Sequence, residues 1–473
     1  MKIKMRYFLI IFSLCFATSI HAEEKVCEVE RPSIVDRVVN RSYPSVSATW
    51  AHEITNEPMP ENVWDWSYYK EVVSRRDLFW QGSFRAQVGF QYSAGDGTQL
   101  VFRSGRSDKI DWVMDLRKQL QDLNPNFLFL AGSHYYAAHP SDIYSEDWQY
   151  WLRDEAGNRV PDQGWGEMLV DYTLPGAEDH FVQMAVSVAK CGIFDGIFMD
   201  AWSEDEAEIP GVDSAAHLYH GNRVEALVSL VKRIREAVGD DFLIIVNTRT
   251  EKIPRSAPYV NGAFIETWDA VYPRERLIEI ENALSWHEEN LRYPQINALE
   301  IEINPSEPWD SPANQQLARA TTTLSLTHSN GYIQIVGQNQ FPYWYPFFDA
   351  PLGRPIGEKG QLYEAIDGLF IREFTNGWAV YNRSGKAQEI ALPQEVSGWS
   401  SGVESQRRHT LADLDGEIYL KAETPPTADV NGDGVVNIQD LVIVANAFGE
   451  AEPDLNGDGV VNIQDLVIVA NAF

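Results

Sequence analysis

Between Pro44 and Gly337 the chain carries eight short runs of near-continuous apolar, β-type residues. They are SVSATW (45–50), DLFWQG (77–82), FLFLAGS (127–133), GIFMDAW (196–202), FLIIVNT (242–248), GAFIETW (262–268), NALEIEI (297–303) and GYIQIVG (331–337). A strand with one wet face alternates polar and apolar residues; a strand buried on both faces does not. Longer amphipathic stretches separate the runs. One sets Ile110, Val113, Leu116 and Leu120 on a single helical face, and another does so with Val224, Leu227, Leu230, Val231 and Ile234. Doubly buried strands alternating with helices predict an α/β chain closed as a (β/α)8 TIM barrel. An open doubly wound sheet is the competing arrangement. It calls for a Gly-rich phosphate turn after the first strand, and SATWAHE has none.

The pattern changes after Gly337. FIREFTNGWAVYNRSGKAQEIAL reads as strand, turn, strand, turn, strand, with Asn376-Gly377 as a hairpin signal. A small antiparallel β-sandwich domain is expected there, then a short Pro-containing linker, ETPPTA. At the other end Lys2, Lys4 and Arg6 precede an apolar run over residues 7–17, too short to span a bilayer. SIHA then offers a cut after Ala22. A short membrane anchor is the other reading of this segment. The expected division is a signal peptide over 1–22, the barrel over 23–345, the β-domain over 346–423, a linker over 424–428 and a final module over 429–473. The mature chain is then secreted, with no membrane insertion. It keeps Cys27 and Cys191, which one disulfide could join, although the sequence does not bring them together.

Net charge is −31, so the chain lacks the basic footprint that a phosphate backbone or an anionic lipid surface requires. A neutral substrate or metal cations suit it. Its 15 Trp fit either a large core or a cleft whose flat faces stack on sugar rings.

The last module repeats NGDGVVNIQDLVIVANAF letter for letter, at 431–448 and at 456–473. Asp429, Asn431, Asp433, Asn437 and Asp440 stand at positions 1, 3, 5, 9 and 12 of a loop, with Gly434 at position 6 and the Val435 carbonyl at position 7. Asp454, Asn456, Asp458, Val460, Asn462 and Asp465, with Gly459, repeat the set. Hard oxygens at this spacing wrap one Ca²⁺ per loop, and Gly at position 6 permits the sharp turn. Two calcium ions are therefore expected. Position 12 is Asp where the common EF-hand loop has Glu. Without cations the clustered acids repel one another, so folding of the module is expected to need the metal. A helix, IQDLVIVANAF, follows each loop. One apolar face can pack on its copy, and the other has no partner within the module.

Chemistry in a barrel gathers at the carboxyl ends of its strands. Those ends supply Trp50, His134, Asp200, Trp202, Asn247, Glu266, Trp268, Glu302 and Gln338. Asp200 and Glu266 each close a strongly apolar run, and each is followed two residues later by Trp. Burial beside aromatic faces can raise one carboxyl pKa and leave the other ionised, as cleavage of a glycosidic bond needs. Trp50, His134, Trp202, Asn247, Trp268 and Gln338 are the candidate substrate contacts. Glu300 and Glu302 alternate with apolar residues, so one could enter the site or either could form a polar layer. Asp195 starts its strand and belongs to the opposite, structural end. No P-loop, Rossmann glycine turn or zinc spacing is present, so no organic cofactor is expected.

The paired loop–helix units resemble dockerin modules, which implies a cohesin-like partner on a scaffold or surface. Positions 10 and 11, often hydroxyl residues in dockerins, are Ile438-Gln439 and Ile463-Gln464 here. FDGIFMDAW, GAFIETW and REFTNGWAVYNRSG resemble glycoside-hydrolase TIM barrels allied to polygalactosaminidase-like and α-galactosidase-like enzymes. That resemblance implies a carbohydrate substrate, with Asp200 as nucleophile and Glu266 as acid/base. The α-galactosidase pattern has Asp on the sixth strand where this chain has Glu266, so retention and inversion both stay open. A barrel that grips polysaccharide without cutting it, or serves as a surface-structural spacer, is the competing function.

Overall fold

The computed structural model describes residues 32–49, 70, 72–80, 90–92, 100–102, 108–133, 135–138, 144–162, 166–205, 213–269, 271–337, 342–421, 428–456 and 459–473. Each of the eight apolar runs contains a strand: β1 (Ser47–Thr49), β2 (Leu78–Trp80), β3 (Leu128–Ser133), β4 (Gly196–Met199), β5 (Leu243–Asn247), β6 (Gly262–Ile265), β7 (Ala298–Glu302) and β8 (Tyr332–Val336). Neighbours pair in parallel in chain order. The ring closes where Val46 bridges Ile333, whose N–H donates to the Ser45 carbonyl at 3.0 Å. Close strand approach dictates glycine at the start of β4: a Cβ on Gly196 would lie 2.2 Å from the Leu243 carbonyl oxygen.

A short helix, α1 (Ile34–Val39), precedes the barrel. Helices α2 (Asp108–Leu123), α3 (Ala177–Cys191), α4 (Arg223–Val238), α5 (Arg274–Asn290) and α6 (Pro312–His328) form the outer layer. Asn222 caps α4 by accepting the Glu225 N–H, and Ser311 caps α6 with Pro312 just inside the helix. The return from β5 to β6 departs from the (β/α) rule. Residues 248–261 run as turns without a helix; Pro254 and Pro258 each lack an N–H and steer the residue before them away from helical backbone.

Two apolar shells hold the barrel. Inside, Trp80 is fully buried, stacks on Phe198 at 4.6 Å and meets Phe264 edge-on at 5.0 Å. Outside, the strands pack on α3, α4, α5 and α6. The amino end of the barrel is closed by charge. Asp195 is buried between Arg37 and Arg117, each 2.7 Å away, and also accepts the Phe129 N–H.

After a short antiparallel strand, β9 (Pro342–Tyr343), the chain forms β10 (Leu369–Phe374), β11 (Gly377–Asn382), β12 (Gln388–Gly398), β13 (Gln406–Leu411) and β14 (Asp415–Lys421). These make one five-stranded antiparallel sheet in the order β10-β11-β14-β12-β13. Where a sandwich would stack a second sheet, this sheet lays one face on α6. Phe370, Phe374, Ala379, Tyr381 and Ile418 share the core of the barrel's outer shell. Arg383 grips Glu281 of α5 through two bonds of 2.5 and 2.7 Å, and Arg319 of α6 grips Asp415 through two of 2.9 and 2.8 Å.

The C-terminal module holds α7 (Ile438–Asn446) and α8 (Ile463–Asn471), packed through Val444, Val461 and Val469. Ile438, Val442 and Phe448, and their counterparts Ile463, Val467 and Phe473, stay exposed. The copies differ at the valine before the helix cap. Val461 is 1% exposed and pairs with the chain at Gly449 and Glu450, whereas Val436 is only half-buried.

Candidate active site and calcium loops

The β4–β5, β6–β7 and β7–β8 ladders set the site. Met199 faces Val246, so the next pair along the ladder is Asp200 and Asn247. In the β6–β7 ladder Ile265 faces Leu299, so the next pair is Glu266 and Glu300; Glu300 in turn faces Gln334. Polar side chains therefore run round the carboxyl end of the barrel from β4 to β8, and Thr49 of β1 completes the series.

Asn247 joins the two predicted acids. Its Nδ2 donates to Asp200 Oδ1 and to Glu266 Oε2, both at 2.8 Å. Those two oxygens therefore stand no farther apart than twice that bond. Asp200 also accepts the Ala201 N–H and, at 3.4 Å, the Tyr136 hydroxyl. Burial raises the Asp200 carboxyl above its ordinary range, while Asn247, the Ala201 N–H, Tyr136 and the charge of Arg249 oppose the rise. Glu266 is 7% exposed. Burial, then the neighbouring Asp200, pushes it up to about 7, against hydrogen bonds from Asn247 and Trp268. Glu300 is the buried polar layer: it accepts from Thr49 Oγ1 at 3.2 Å and from Gln334 Nε2. Burial and Glu266 hold its carboxyl well above the usual range. Ala201 and Arg249, just past the ends of β4 and β5, both take left-handed backbone with φ of 52°. Non-glycine residues rarely do so, and such strain concentrates at functional sites.

Trp268 is 62% exposed beside Glu266 and offers an open indole face. Trp202 does not. It is 1% exposed, packs edge-on against Tyr135 and donates its indole N–H to Ser256, so the expected sugar contact is corrected to a core residue under the site. The left-handed turn at Ala201 and the Trp202 N–H bonded to the Asn247 carbonyl fold it inward. Trp50, His134 and Gln338 lie outside the described residues, as does Asp458 of the second loop. Tyr136 and Arg249 join the site without having been singled out in the sequence. Their only signal there is position, a few residues past a strand end.

In the module, the first loop turns its side-chain oxygens inward. Asp429 accepts the N–H groups of Asp433 and Gly434, Asn431 that of Asp433, and Asp433 that of Val435. Gly434 has φ of 86° and Gly459 of 93°, the left-handed turn the spacing requires. The donors are carboxylate, amide and carbonyl oxygens, a set that fits a hard cation such as Ca²⁺. Asp440 is fully buried and has a second duty. It accepts the backbone N–H groups of Val430, Asn431 and Asn437, tying the start of the loop to the start of α7; Asp465 does the same for Leu455, Asn456 and Asn462. These bonds hold both carboxyls below their ordinary value.

Residues 130–378 match the hypothetical glycosyl hydrolase family 15, and residues 427–473 match the dockerin type I domain. The first match spans more than half of the chain, which therefore belongs to that glycosyl hydrolase family and is a glycoside hydrolase carrying a C-terminal dockerin, a domain type that binds calcium. No curated protein matches the chain. Among solved structures it is similar to a noncanonic maltogenic α-amylase of Thermotoga neapolitana, at 10% identity and TM-score 0.45, covering 82% of this chain and 99% of that one. It is also similar to an isomalto-dextranase of Arthrobacter globiformis T6 complexed with panose, at 13% identity and TM-score 0.47, covering 84% and 76%. A GH36 α-galactosidase of Geobacillus stearothermophilus is similar at 11% identity and TM-score 0.41, covering 83% and 57%. Among the described residues no helix is long and apolar enough to cross a membrane.

Proposed function

We propose that the chain is a secreted glycoside hydrolase that cleaves an oligosaccharide or polysaccharide with Asp200 and Glu266. The observation that carries this reading is the single Asn247 amide shared by both carboxyls. Glu266, able to keep its proton to about 7, gives that proton to the glycosidic oxygen as the bond to the anomeric carbon breaks. An Asp200 oxygen attacks that carbon from the other face and forms a glycosyl ester. Glu266, now ionised, takes a proton from water as the water oxygen displaces Asp200, and the site returns to its starting state. The short spacing imposed by Asn247 favours retention, which needs carboxyls about 5–5.5 Å apart, over inversion, which needs about 6.5–9.5 Å.

Each dockerin loop holds one Ca²⁺, giving two ions, through Asp429, Asn431, Asp433, Val435, Asn437 and Asp440 and through Asp454, Asn456, Asp458, Val460, Asn462 and Asp465. The ion supplies the positive charge that lets clustered acids share one turn. The module then docks the enzyme on a cohesin-like domain. Reducing-sugar release across a glycan panel, with anomers followed by proton NMR, tests the mechanism. Asp200→Asn and Glu266→Gln should each lose turnover and keep glycan binding, and the first-formed anomer should match the substrate's. A panel with binding but no cleavage would make the barrel a binding module instead.

A further inference from the structure

Arg249 stands beside the residue that joins the two acids. It follows Asn247 by two residues, and its N–H donates to Asn247 Oδ1 at 3.2 Å. The amide that spaces the carboxyls thus also holds the Arg249 backbone. Both flanks are pinned. Thr248 is buried, and Thr250 donates to Glu279 at 2.6 Å and accepts from Arg276. The Glu251 N–H closes the turn on the Thr248 carbonyl. A rigid turn therefore forces a bulky residue into left-handed backbone, which glycine would adopt without strain.

Arg249 is exposed, and among the described residues its side chain has neither an ion pair nor a hydrogen bond. Neighbouring acids are already engaged: Glu279 with Thr250 and Arg276, Glu251 with Ser203, Glu204 with the N–H groups of Arg255 and Ser256. Its charge nevertheless reaches both Asp200 and Glu266. It bonds to neither carboxyl among the described residues, yet its backbone is held by Asn247, the residue that joins the two. We propose that Arg249 is a sugar-binding residue, its guanidinium donating to a hydroxyl oxygen of the ring held against Asp200 and Glu266. The ring is neutral. Glu302, at the end of β7, and the net charge of −31 disfavour an anionic sugar. This inference rests on the proposed two-carboxylate mechanism.

The test uses the full chain with 4-nitrophenyl glycosides of neutral hexoses, N-acetylhexosamines and uronic acids. Arg249→Gly is the informative variant, because glycine fits the backbone and removes only the side chain. Its Tm should not fall below that of the native chain, while kcat/KM on a neutral glycoside drops roughly 10–100-fold, the range for a lost charge-assisted hydrogen bond. Arg249→Lys should recover part of the loss. Native kcat/KM in Arg249→Gly overturns the proposal, and so does a fall in Tm that accompanies the fall in activity. Hydrolysis of uronides alone overturns the neutral-sugar assignment. If Asp200→Asn and Glu266→Gln keep native turnover, the carboxylate mechanism fails instead; if the native chain cleaves nothing, both fail.

Discussion

Glu300 in the barrel and Asp440 in the dockerin both lie out of contact with water, at 1% and 0% exposure, but one sits deep in the barrel and the other under the thin cover of a small module, and their carboxyls shift in opposite directions. Glu300 meets two neutral side-chain donors and a neighbouring acid, Glu266. Asp440 meets three backbone N–H groups at the start of a helix. Desolvation deep in the barrel pushes Glu300 up, whereas in the small module the backbone donors outweigh it and hold Asp440 down. In the barrel site Glu266 and Glu300 are set to retain protons. The module gathers them where charge is retained, which is what a cation site needs.

The sharpest way to break this contrast is Glu266→Gln. Turnover should fall about 10²–10⁴-fold, the usual worth of a general acid/base. In the native chain kcat/KM should decline as pH rises through about 7, where Glu266 gives up its proton, and that limb should vanish in the variant. Stability carries the same signature. Folded Glu266 keeps its proton up to about 7 and the unfolded chain loses it near 4.5, so folding weakens as pH climbs between those values. Thermal melts should show no electrostatic advantage for the variant below pH 4.5 and one that grows until about pH 7. Asp195→Asn probes a third kind of buried acid, one held between two arginines. It strands Arg37 and Arg117, so denaturant unfolding should show a loss of about 3–5 kcal/mol, with the pH limb of the folded enzyme unmoved.

On the module side, excess chelator should reduce the far-UV circular dichroism contributed by α7 and α8 and leave the barrel's melting transition in place. Unchanged helicity would show that backbone N–H groups alone hold the loops together. The smallest effect should come from Asn437→Ala. It removes the side chain that accepts the Gln439 N–H at the start of α7, a loss of about 1 kcal/mol, together with one oxygen proposed for the first calcium, so the module should melt lower and need more calcium to regain its helicity.

Much of this was legible in the sequence, because it depends on periodicity and spacing. Eight doubly buried runs gave eight strands, and Asp200 and Glu266 stand together at the carboxyl end of the ring. What escaped depends on backbone direction. DAW and ETW look alike, but the chain turns left-handed at Ala201 and buries Trp202, whereas Trp268 stays in the open. Asn247 could be read as a strand end; that its one amide serves two acids could not, since this requires β4 and β6 to flank β5 at matching height. The missing helix between β5 and β6 was foreshadowed by Pro254 and Pro258.

The half-buried Val436 and the fully buried Val461 have a practical consequence. Their eighteen-residue surroundings are identical in sequence, so any difference in amide exchange or in tolerance to substitution between them cannot come from local propensity. It measures what the fold beyond the repeat adds. The Gly449–Glu450 pairing should make the Val461 amide the slower to exchange. The chain thus carries its own control for the effect of tertiary context.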